Sequence, residues 1–185
     1  MTDLQTGSHL PRPDDAVTAD RFARTLAFVE AALPAPARLL DLGPPNPLAA
    51  RFAARGYAVS NTEGDLDVAP HQAAEAEVDA VTAFEVLEHL VAPFNVLRAI
   101  RAPRLFASVP LRLWFAPAYR NPHDAWDRHF HEFEPWQFDW LLEKAGWRIV
   151  RRERWIPKPA GLPLGVRPLL RRVTPRWYVV EAVRP

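Results

Sequence analysis

Residues 37–47, ARLLDLGPPNP, restrict the folds open to this 185-residue chain more than any other stretch. The run Ala37-Arg38-Leu39-Leu40 is too short for a helix and is followed at once by Asp41-Leu42-Gly43, so it reads as a short strand ending in a turn. Pro47 suits the first position of a helix, where its missing N–H would have no partner anyway. Leu48 and Phe52 then lie one turn apart, and Gly56 can close that helix in the left-handed conformation. Strand, glycine turn and helix in this order present backbone at one edge of a sheet, the arrangement that open α/β sheets use to hold nucleotide-type ligands.

The rest of the chain repeats the alternation. Phe22, Leu26, Val29 and Leu33 follow helical steps and are closed by Pro34. Residues 57–62 read as a second strand ending at Glu63, and residues 78–84 as a buried one. Pro93 opens a helix carrying Phe94, Leu97 and Ile100, and residues 104–109 form the next strand. Glu134-Pro135 opens a helix with Phe138, Leu141, Leu142 and Ala145 on one face, and Gly146 closes it. Strands begin at Trp147 and Trp177, separated by a Pro- and Arg-rich excursion over residues 156–174. The pattern predicts an α/β fold: a Rossmann-like, mostly parallel sheet with helices on both faces and an antiparallel last strand. Residues 64–77 are too short and polar for a further helix and strand, so one edge strand is expected to be missing.

The expected organisation is a flexible N-terminal arm over residues 1–16 and a single domain over 17–185. Within that domain the aromatic and histidine-rich residues 110–134 exceed an ordinary loop and suggest a substrate or lid connection. The chain has no cysteine, which excludes disulfides, thiolate metal sites and a cysteine nucleophile. No run approaches membrane-span length and the start lacks a basic-then-apolar leader, so a cytoplasmic location is expected. Residues 1–100 carry 7 basic and 14 acidic side chains, and residues 101–185 carry 16 and 8. The basic residues are dispersed rather than clustered, which disfavours nucleic acid as a partner.

Three pieces occur in order: the strand with DLG, a second strand ending in an acid, and VDAVTAFEVLEHL. With the later HFHEFEPWQFDWLLEKAGW, they resemble the class I S-adenosylmethionine-dependent methyltransferases, over about residues 20–155. The resemblance implies S-adenosylmethionine as cofactor and methyl transfer to a small-molecule acceptor. It places Asp41 and Gly43 beside the methionine part of the cofactor, Glu63 on the ribose hydroxyls, and Phe84 and Glu85 beside the amino-acid group. Such proteins usually carry two or three glycines in the first loop, whereas Pro44, Pro45, Asn46 and Pro47 stand here. Prolines donate no N–H, which leaves Gly43 and Asn46 to supply the loop's contacts. Asp65 or Asp67 is available to replace the acid expected near the adenine amine.

Residues 121–134, NPHDAWDRHFHEFE, hold the remaining chemistry. His129 or His131 is the candidate general base, since methyl transfer often needs a proton removed from the acceptor. Trp114, Phe115, Tyr119 and Trp126 are candidates for an acceptor wall. The same histidines, with His123 or a carboxylate, are also compatible with a metal, although no tight ligand motif is present. Three functions follow: a methyltransferase, a non-catalytic methyltransferase-like module that binds a protein partner or a second copy of itself, and a histidine-based metal hydrolase.

Overall fold

A computed structural model describes residues 16–74, 77–124, 126–158 and 165–184. Six strands form one sheet: β1 (Arg38–Asp41), β2 (Ala58–Asn61), β3 (Ala80–Phe84), β4 (Arg104–Pro110), β5 (Arg148–Trp155) and β6 (Trp177–Val183). Their spatial order is β2-β1-β3-β4-β6-β5. The first four are parallel, and β6 runs antiparallel to both β4 and β5. Among the described residues five α-helices accompany them: α1 (Ala16–Glu30), α2 (Pro47–Ala54), α3 (Pro93–Ala99), α4 (Pro135–Lys144) and α5 (Val166–Arg171).

Successive residues of the inner strands serve opposite faces, as the two-residue strand period requires. Leu39 and Phe106 pack with Phe22, Leu26, Val29 and Phe52 from α1 and α2. Leu40, Leu105 and Ala107 pack with Val96, Leu97, Phe138 and Leu142 from α3 and α4. Both faces of the sheet are therefore covered, which explains why β3 and β4 read as continuous apolar runs. β2 is the half-exposed edge, and the short segment after it holds a 3-10 helix, Pro70–Ala74, and no strand among the described residues. The expected loss of an edge strand is thus visible as β2 standing outermost.

Local chemistry sets the helix starts. Pro47, Pro93 and Pro135 each occupy the first turn of α2, α3 and α4. Gly56 and Gly146 lie just past α2 and α4 at φ +91° and +90°, the left-handed region in which a side chain is strained. The predicted N-terminal arm lies outside the described residues up to position 15, and Ala16 already belongs to α1. The excursion after β5 contains α5, an element its proline content concealed.

Candidate functional site

Because β1 to β4 are parallel, Asp41–Gly43, Asn61–Glu63 and Phe84–Glu85 emerge at one edge of the sheet. The turn after β1 is built around Asp41, which is buried. Thr82 Oγ1 donates to Asp41 Oδ1 at 2.6 Å, and Asn46 Nδ2 and Asn61 Nδ2 donate to Oδ2 at 2.7 and 3.2 Å. Burial pushes this carboxyl from its ordinary 3.8 up to about 6, against the lowering effect of those three donors. Asp41 is therefore the hub that ties the turn to β2 and β3.

Asn46 sits at the N-cap of α2, and its Oδ1 accepts from the Leu48 and Ala49 N–H groups, both at 3.0 Å. Its side-chain amide also donates to the Pro44 carbonyl at 3.2 Å. The Gly43 N–H donates to Thr62 Oγ1 at 2.7 Å. Between Leu42 and Ala50, the Asn46 N–H is the one backbone donor without a partner among the described residues. The loop's side-chain amide is spent on its own architecture, and one backbone N–H remains to meet a ligand. Gly43 stands at φ +105° with nothing within 4 Å of where a Cβ would project, so the crevice over it is open.

Glu63 follows β2, and its exposed carboxylate has no partner among the described residues, while its N–H donates to Gln72 Oε1 at 2.8 Å. Glu85, directly after β3, takes φ +57°, an uncommon conformation for a side-chain-bearing residue and one enriched at functional sites. Its carboxylate accepts from Ser108 Oγ at 2.7 Å and pairs with Arg21 of α1 at 3.2 Å. Phe84 stacks on Phe52, with ring centroids 6.3 Å apart. Asp67 is committed elsewhere: it accepts from the Val91 and Ala92 N–H groups at 2.7 and 2.8 Å and holds the entry to α3. Asp65 accepts from the Asp67 N–H at 2.9 Å.

A second cluster lies beside the first. Leu87–His89 form a 3-10 turn after β3, and the residue 110–134 connection docks on it through the Phe130 N–H, which donates to the Glu88 carbonyl at 2.8 Å. Glu88 is 1% exposed, and burial, then the nearby Glu85 charge, holds its carboxyl well above the ordinary range. His89 and His129 meet edge to face with centroids 4.9 Å apart, and Tyr119 packs on His129 at 4.8 Å. Burial, then His89, lowers the His129 pKa. His131 is placed differently: its ring stacks on Phe133 and its Nε2 lies 3.4 Å from the Val91 carbonyl. The two-residue spacing of His129 and His131 falls in irregular chain, so the rings find separate neighbours.

The aromatic wall also differs from expectation. Trp114 and Trp126 are each 75% exposed. An open groove of about 500 Å³ is instead lined by Phe94, Phe130, His131, Trp136 and Trp140, beside the Leu87–His89 turn. Thr82 and Ser108 interrupt the apolar strands β3 and β4 and Thr62 directly follows β2, and each of these hydroxyls, absent from the expected site, bonds a site residue. That interruption was the available signal. Glu88 and His89 carry no local signal of their own, and their place beside His129 is set by the fold.

The chain matches the family model of a methyltransferase domain over residues 16–152, and it belongs to that family. A search of the curated proteins finds no match. Among solved structures, it is similar to an S-adenosylmethionine-dependent methyltransferase from Archaeoglobus fulgidus, with TM-score 0.59, 15% identity, and 90% of this chain and 94% of that one covered. It is also similar to the complex of the Haloferax volcanii Trm112 methyltransferase activator with a candidate methyltransferase, at TM-score 0.61, 16% identity, and 90% and 91% coverage. A third neighbour is the [4+2]-cyclase SpnF, at TM-score 0.60, 14% identity, and 91% and 83% coverage. At these identities the likeness concerns the fold, and the cyclase shows that the fold serves more than one chemistry. No helix of the described residues is long and apolar enough to cross a membrane.

Proposed function

We propose that the chain transfers a methyl group from S-adenosylmethionine to a small-molecule acceptor. The observation that carries this reading is the unpartnered carboxylate of Glu63 at the end of β2, next to the open crevice over Gly43. A carboxylate there accepts two hydroxyls at once, as a ribose requires. Asp41 and Asn46 hold the turn, the Asn46 N–H faces the cofactor's amino-acid end, and Phe84 and Glu85 close the crevice from β3. The cofactor, when bound, supplies an electrophilic methyl on a sulfonium. The chain holds the acceptor in line with it, which accounts for most of the acceleration in such a transfer. His129 and His131 are the proposed bases, and the connection over 110–134 is the proposed lid and acceptor wall of a single domain that extends to residue 185. A cytoplasmic location belongs to the same proposal, as does an additional protein partner or second copy.

Isothermal titration with S-adenosylmethionine and S-adenosylhomocysteine tests this. Saturable binding of both is expected, and Glu63→Ala should weaken it by about 10-fold or more, since a charge-assisted pair of hydrogen bonds is lost. Absence of binding by either compound removes the proposal. The second reading, a non-catalytic methyltransferase-like binding module, draws on the Gly43 N–H and the Asn46 amide being already engaged. It predicts no cofactor binding and a stable complex with another protein.

A further inference from the structure

The Glu88, His89 and His129 side chains do not figure in the cofactor crevice, and their arrangement asks for an explanation. One donor atom from each lies within 4.8 Å of the others. The Glu88 carboxylate is almost completely buried, forms an ion pair with no Lys or Arg among the described residues, and leaves Oε2 without a hydrogen-bond partner. Burying such a group beside no cation favours its neutral acid form, and a metal ion taking the place of that proton would supply the positive charge the carboxylate lacks. Its Oε1 lies 3.7 Å from His89 Nε2. His89 Nδ1 is 3.1 Å from the Arg128 carbonyl, which can only accept, so Nδ1 carries the proton and Nε2 of the neutral ring carries the lone pair. A histidine whose far N–H is anchored on a carbonyl is the usual orientation of a metal ligand. His129 Nδ1 is buried and lies 3.4 Å from Glu132 Oε1.

From this geometry we infer that Glu88, His89 and His129 form a binding site for a divalent first-row transition metal such as zinc. Two imidazoles and one carboxylate suit such an ion, and three protein ligands leave a position open for water or an oxygen-bearing ligand. A metal about 2.0–2.1 Å from each donor holds donors roughly 3.5 Å apart, so closing this cluster takes side-chain adjustments of about an ångström. The site bridges two parts of the fold: Glu88 and His89 come from the turn after β3, and His129 comes from the long connection. Occupation therefore pins that connection to the sheet. The metal site stands apart from the methyltransferase reading, and only its use toward the acceptor rests on that reading. The lone pair a metal takes from His129 is the one a general base would use, so with the metal bound His131 is the proposed base that remains.

The test is titration of the untagged, chelator-treated protein with Co²⁺, followed by visible spectroscopy and displacement with Zn²⁺, with Mg²⁺ as a hard-ion control. Expected are one equivalent bound per chain, d–d absorption of a low-coordinate site, and Zn²⁺ displacement. His89→Ala and His129→Ala should each weaken Co²⁺ binding at least 10-fold, with His123→Ala unchanged. Should a variant fail to fold, the wild-type titration still decides: no saturable equivalent, or the same affinity in His123→Ala and His129→Ala, overturns the site. Glu63→Ala, which tests the cofactor crevice, should bind Co²⁺ like the wild type, so the two proposals fail separately.

Discussion

Two buried glutamates, Glu181 and Glu88, solve the problem of charge burial in opposite ways. Glu181 of β6 is 5% exposed and lies between two cations, pairing with Arg104 of β4 and with Arg151 of β5 at 3.2 Å. It locks the antiparallel half of the sheet and has no capacity left for a ligand. Glu88, on the parallel side and just past the end of β3, pairs directly with no Lys or Arg among the described residues, and has an unbonded oxygen and two imidazoles for neighbours. Asp41 stands between these extremes, buried but satisfied by three uncharged donors. The two regions thus differ in role, because the antiparallel half neutralises its charges internally, whereas the parallel edge keeps carboxylates that a ligand can complete.

Removing the charge at each position tests that gradient. Glu181→Ala is expected to have the largest effect on stability. It leaves Arg104 and Arg151 facing each other without a carboxylate, and loss of one partner from a buried pair costs about 3–5 kcal/mol. Arg104 and Arg151 both retain some solvent contact, which puts the expectation at the lower end, about 3 kcal/mol. Urea unfolding at pH 7 measures it, and a cost under about 1 kcal/mol, the range of an exposed pair, would mean that the two regions are not distinct in this way.

The next effect is a pH dependence at Asp41. Its folded pKa of about 6 lies above its ordinary 3.8, so the folded state holds the proton more tightly. Stability from this group is fully present below about pH 3.8 and is lost as pH rises to about 6. A shift of about two units corresponds to about 3 kcal/mol as an upper bound. Asp41→Asn has no such titration, so its stability relative to the wild type should improve between about pH 4 and pH 7 by up to that amount. Parallel unfolding curves at the two pH values check the sign; a wild type that gains on the variant over this interval contradicts it.

These positions also show what the sequence made legible. Helix starts were readable because Pro47, Pro93 and Pro135 mark them chemically, and strands because Leu39-Leu40 or Val81 have no alternative to burial. The acids at strand ends were readable from order alone: Asp41, Glu63 and Glu85 each close a segment that reads as a strand, and a parallel sheet necessarily gathers them at one edge. Which side chains satisfy them was not readable. Thr82 meets Asp41 across 41 residues of chain, and His129 meets His89 only because the connection folds back on the turn after β3. The histidines nearest in sequence, His129 and His131, separate, while His89 and His129 come together. Local spacing says little about a loop that carries no regular period.

A smaller loss is expected at Asn46, whose side chain both caps α2 and donates to Asp41. Asn46→Ala should cost about 1–2 kcal/mol, the usual range for a lost N-cap. It should also push the Asp41 titration further upward, since one of the donors holding that carboxyl down is removed. Asn46→Asp keeps the cap oxygen but sets a second carboxylate 2.7 Å from the first. Its stability should therefore fall relative to that of Asn46→Ala as pH rises above about 6, which denaturation at about pH 5 and pH 8 would show.

The smallest effect on stability is expected at Glu88, and its smallness is the informative part. Glu88→Gln replaces a carboxylate with an amide of nearly the same shape, and no Lys or Arg loses a partner among the described residues. Where Glu181→Ala strands two cations, this change strands none, so the metal-free variant should lie within about 0.5 kcal/mol of the wild type or be slightly more stable. The asymmetry should reverse on adding Zn²⁺. The wild type should then gain stability in proportion to the logarithm of free metal over its dissociation constant, while the Gln variant gains little. Thermal unfolding with and without Zn²⁺ reads both halves. A Gln variant destabilised without metal would make Glu88 a second structural acid like Glu181, and an equal Zn²⁺ response in both proteins would remove its role as a ligand.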